Sequence, residues 1–72
     1  MNEDDIQHAI YNKTILTIAG LEGEARYEAL TERRREIAGM IELAQHLGLA
    51  APLRRFLERE RDYLRGRIEA VK

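Results

Sequence analysis

The chain has no cysteine, no serine and no tryptophan among its 72 residues. Without cysteine there is neither a disulfide nor a thiolate metal site. Side-chain hydroxyls reduce to Thr14, Thr17 and Thr31 with Tyr11, Tyr27 and Tyr63. The two histidines, His8 and His46, are far apart in sequence. An enzyme needs a nucleophile or an acid–base group in a water-excluded cleft, and a chain this short has little room to build one. No catalytic residue, metal or cofactor is expected. A long apolar run is also missing: no stretch approaches the roughly 18 residues of a membrane helix. The first residues, MNEDD, are acidic, so a secretory leader is not expected there. These absences point to a soluble, cytoplasmic protein without enzymatic activity.

What is present is charge, and it is segregated. Residues 1–30 carry two basic groups against six acidic, whereas residues 50–72 carry seven basic against four acidic. Such asymmetry can orient chains head to tail or steer a charged partner. A single domain over residues 1–72 buries little of its surface and usually needs a staple. With no disulfide or metal to serve, a homodimer or a docked partner is the expected one.

Helical spacing dominates the pattern. EARYEALTERRREIAGMIELAQHL, residues 24–47, is rich in strong helix formers, and Gly48 is a natural stop. Its apolar seam reads Arg26, Leu30, Arg33, Ile37, Met40, Ala44 and Leu47 in alternating steps of four and three, as in a coiled coil. PLRRFLERERDYLRGRIEAV, residues 52–71, opens on Pro52, which is tolerated where a helix starts. Its seam is Leu53, Leu57, Glu60, Leu64, Arg67 and Val71, widened by Phe56, Tyr63 and Ile68. The short link predicts an antiparallel hairpin. That pairing sets Leu47 near Leu53, Ala44 near Phe56 and Leu57, and Ile37 near Leu64. It also gathers Arg33, Glu60 and Arg67 into an ion network that fixes register, since seam charges are costly unless paired. Gly39 and Gly66 lie inside these helices, either for close backbone approach or through simple tolerance.

The segment TILTIAG, residues 14–20, is the most apolar stretch. Thr14, Ile15, Thr17 and Ile18 favour a strand, but the chain has no second strand to pair with. The expectation is a first helix over about 4–19, capped by Asp4 or Asp5, with Ile6, Ala9, Ile10 and Lys13 on one face and Tyr11, Ile15 and Ile18 on another. A helix apolar nearly all round is buried, so Ile15, Leu16 and Ile18 are expected to meet a second subunit or another partner. The fold class is therefore all-α: a helical hairpin plus a shorter N-terminal helix, joined as a dimeric bundle.

LAQHLGLAAPLRRFLERE, residues 43–60, resembles the helix-turn-helix of bacterial repressors through Ala44, Gly48 and Leu49. The resemblance implies a recognition helix bearing Arg54, Arg55, Arg59 and Arg61. Two features depart from it: Arg54 stands where an apolar residue belongs, and the preceding helix is too long. A ribbon-helix-helix reading of TILTI meets an acidic surrounding that repels phosphate.

Two charged lines remain. Arg54, Arg61, Arg65 and Lys72 align on the last helix, and Glu24, Glu28, Glu32 and Glu36 form a like-charge series on the longer one. With the apolar segment they suggest a protein-interaction module, an inhibitor or regulator of the kind phages and mobile elements encode, docking on a larger bacterial protein. Its expected contact residues are Ile15, Leu16, Ile18, Glu28, Glu32, Arg54, Arg61 and Arg65. The alternative is a transcriptional regulator that binds DNA through residues 43–61.

Overall fold

A computed structural model describes residues 3–71 as three helices: α1 (Glu3–Ile18), α2 (Gly23–Leu47) and α3 (Ala51–Val71). TILTI is thus helical, and the boundaries fall within a residue or so of those read from sequence. Helix α1 starts at Glu3, so Asp4 and Asp5 lie inside its first turn rather than at its cap. Helix α2 ends where Gly48 turns left-handed, with φ 66° and ψ 34°. There the Gly48 N–H donates to the Gln45 carbonyl and the Leu49 N–H to the Ala44 carbonyl. This closed end satisfies two orphan carbonyls and aims the chain back along α2.

The hairpin of α2 and α3 is the body of the molecule, and α1 lies across it with a smaller contact. The longest dimension, 37 Å, matches 25 residues at about 1.5 Å each, so the helices run side by side. The core is Ile18 from α1, Leu30, Ile37, Ile41 and Ala44 from α2, and Leu57, Leu64 and Ile68 from α3. Ile10, Tyr27, Met40, Leu53 and Val71 pack around it.

The seams drift from the heptad reading at matching points. On α2 the buried line passes through Ile41, with Met40 only half-buried and Leu47 exposed. On α3 it passes through Ile68, and Arg67 is exposed. A straight helix has about 3.6 residues per turn, so a 3.5-residue seam slides around it by about 20° per heptad. In each helix the core line takes a step of four where the heptad takes three.

Both helical glycines face open space: nothing lies within 4 Å of a β-carbon built at Gly39 or Gly66. Within the chain neither marks a close backbone approach. Alanine removes the helix penalty of glycine, so Gly39→Ala and Gly66→Ala are each expected to stabilise by about 0.5–1 kcal/mol. Urea midpoints measure this directly, and a loss of stability would refute it.

Candidate functional site

One buried polar cluster seats α1 on the hairpin. Arg33 of α2 is fully buried, and its Nε donates to Thr14 Oγ1 of α1 at 2.9 Å. Its Nη2 donates to the Ile10 carbonyl at 2.9 Å. Thr14, also fully buried, carries a single hydroxyl proton. It stands 3.2 Å from the Ile10 carbonyl and 3.4 Å from Glu60 Oε2 of α3, and it can serve only one acceptor at a time. Arg33 Nη1 has no hydrogen-bond partner, its nearest anion being Glu36 Oε1 at 3.7 Å. Glu36 also meets Lys13 of α1 at 3.5 Å. Guanidinium, hydroxyl and carboxylate therefore come from α2, α1 and α3 in turn, and the hydroxyl stands between the two charges.

This corrects the expected ion network. Arg33 and Glu60 do share a neighbourhood, but the third member is Thr14. Arg67 is exposed and joins no ion pair among the described residues. The heptad drift explains the exchange, because it turns Arg67 outward and Ile68 inward.

Beside the cluster a groove of about 460 Å³ opens between α1 and α3, lined by Tyr11, Phe56, Arg59, Glu60 and Tyr63. Four of the five are neighbours on one side of α3, at helical spacings of three, four and seven from Phe56. Tyr11 completes the wall from α1, one turn before Thr14. Tyr11 and Tyr63 are about half-exposed, at 48% and 45%. Glu60, at 8% exposure, is the buried end of the groove. Its size lies within the roughly 300–1,000 Å³ of small-ligand and side-chain pockets.

The expected contact residues scatter around this site. Ile18 is a core residue, turned inward by the same face that buries Thr14, so it is not a contact surface. Ile15 is partly exposed one turn after Tyr11, and Leu16 points outward with 76% exposure. The apolar segment is therefore not enclosed by its own chain. Glu28 and Glu32 are exposed, and Glu32 pairs with Arg35 at 3.0 Å. Arg54 and Arg61 are half-buried, Arg61 lying 3.4 Å from Asp62, while Arg65 is exposed. Lys72, the last of that line, lies outside the described residues. Glu36, the last of the acidic series, is spent on seating α1. The segment that resembles a helix-turn-helix is the closed end of a long hairpin whose helices lie side by side, where the repressor motif crosses at roughly 90–120°.

No family model matches the chain, and neither a curated protein nor a solved structure matches it. Among the described residues no helix is long and apolar enough to cross a membrane, and no group of acidic, histidine or cysteine side chains is arranged to hold a metal ion.

Proposed function

We propose that this chain is a non-catalytic protein-interaction module, an inhibitor or regulator that docks on a larger protein through the face shared by α1 and α3. The observation that supports this reading is the aromatic groove. Tyr11, Phe56 and Tyr63 line a groove at a helix–helix junction, and Ile15 follows Tyr11 by one turn of α1 with 38% exposure. Aromatic residues in a pocket are what interface hot spots are made of, because they bury large area at low entropic cost. Glu28, Glu32 and Arg65 supply exposed charge elsewhere on the hairpin, suited to steering an encounter more than to holding it.

Photo-crosslinking tests the face. Benzoylphenylalanine replaces Tyr63 in one sample and the exposed Glu42 of α2 in another. A discrete protein adduct is expected at position 63 and not at 42. Equal adducts at both positions, or none, would remove the docking reading. An adduct of twice the chain's mass would identify the larger partner as a second copy.

A further inference from the structure

We propose that the groove between α1 and α3 takes a guanidinium group: an arginine side chain of the partner, stacked on the aromatic rings and bonded to Glu60. This rests on the docking reading above and names the group that the partner presents.

Three observations carry it. Glu60 is 92% buried by its 8% exposure, yet it lines the groove. Its Oε2 receives only the long contact from Thr14 at 3.4 Å, and its Oε1 has no hydrogen bond or ion pair among the described residues. That oxygen is not sealed from solvent; it is open to a donor that enters the groove, where a charged donor meets a carboxylate already stripped of most of its water. The described residues do not supply one. Arg33 spends Nε on Thr14 and Nη2 on Ile10, and its remaining nitrogen is nearest to Glu36.

The walls decide the chemistry of the donor. Tyr11, Phe56 and Tyr63 line the groove with aromatic rings, and cations are attracted to the faces of such rings. A guanidinium is flat, weakly hydrated and able to stack while giving two parallel N–H bonds to a carboxylate. A lysine ammonium is more strongly hydrated and loses more on entering an apolar groove. An anionic ligand would meet the Glu60 charge. Arg59 on the lining is exposed and joins no ion pair among the described residues. Its charge opposes an incoming cation and would favour an anion, so removing it separates the two cases by sign.

The test is an NMR titration of the full chain with N-acetyl-arginine methylamide and with its neutral citrulline counterpart, read at the ring protons of Tyr11, Phe56 and Tyr63. Saturable shifts are expected with the arginine probe, and binding at least about tenfold weaker with citrulline. Glu60→Gln should weaken the arginine probe by a similar factor. Tyr63→Leu, a half-exposed position, should weaken it by about two- to fivefold without touching the buried cluster. Arg59→Ala should tighten it. The proposal is overturned if the rings do not respond, if citrulline binds equally, or if Arg59→Ala weakens the arginine probe. Should Glu60→Gln fail to fold, Tyr63→Leu and the citrulline comparison still decide. A position-63 adduct without arginine binding would sink the guanidinium proposal and leave the docking reading standing. Arginine binding without that adduct would remove the docking reading and, with it, a partner protein as the source of the guanidinium.

Discussion

Arg33→Ala is expected to lower the melting temperature by about 12–40 °C, close to unfolding the chain at ambient temperature. Removing one member of a buried charged cluster costs about 3–5 kcal/mol, and each kcal/mol moves the melting point of so short a domain by about 4–8 °C. A chain of this length has only about 4–11 kcal/mol in total. The loss has three parts. Thr14 Oγ1 and the Ile10 carbonyl each lose the donor that Arg33 supplies, Glu60 loses the cation on the far side of Thr14, and a fully enclosed side chain leaves a void. The cluster is replaceable as a unit. Exchanging Arg33→Met, Thr14→Val and Glu60→Leu together should recover most of the stability, since an apolar set of similar volume avoids the desolvation cost. Thermal melts of the single and triple variants check both statements. An Arg33→Ala protein within about 1 kcal/mol of the parent would show that the cluster does not hold α1.

The leucines divide sharply. Leu30→Ala and Leu64→Ala are each expected to cost about 2.7–5 kcal/mol, the range for fully buried leucines whose cavities cannot close. Both side chains have zero exposure, and they come from the two helices of the hairpin. Leu16→Ala should cost within about 0.5 kcal/mol, as surface substitutions do. Chemical denaturation of the three variants at one protein concentration reads the contrast. If Leu16→Ala were as damaging as Leu64→Ala, and more so at high concentration, the outward side of α1 would be buried in a second copy.

Much of the fold was legible because helical periodicity and chain punctuation are local signals. Gly48 and Pro52 bracket the hairpin turn, and the short link between them leaves the helices only one way to lie. That Arg33 and Glu60 share a neighbourhood was also legible, since both lie on facing apolar seams, but the hydroxyl that stands between them was not. The exact seam was not. A heptad and a 3.6-residue helix agree over two turns and then part, which is why Met40 and Arg67 were read inward in place of Ile41 and Ile68. Thr14 was hidden for a different reason. Its β-branched character speaks for a strand, and nothing in a single helix says which of its sides will rest on the others. The groove was equally hidden. Tyr11 and Tyr63 are far apart in the chain, and only the seating of α1 makes them neighbours. That seating also turned Ile18 from an expected contact residue into a core residue.

The hydroxyl that joins α1 to α3 has a consequence for how the chain is made. Thr14 precedes Glu60 by 46 residues but Arg33 by only 19, so during synthesis α1 meets the α2 half of its seat well before the α3 half exists. Until Glu60 clears the ribosome, α1 rests on α2 alone, and the groove wall that Phe56, Arg59, Glu60 and Tyr63 complete is missing. The site therefore forms only with the last helix made.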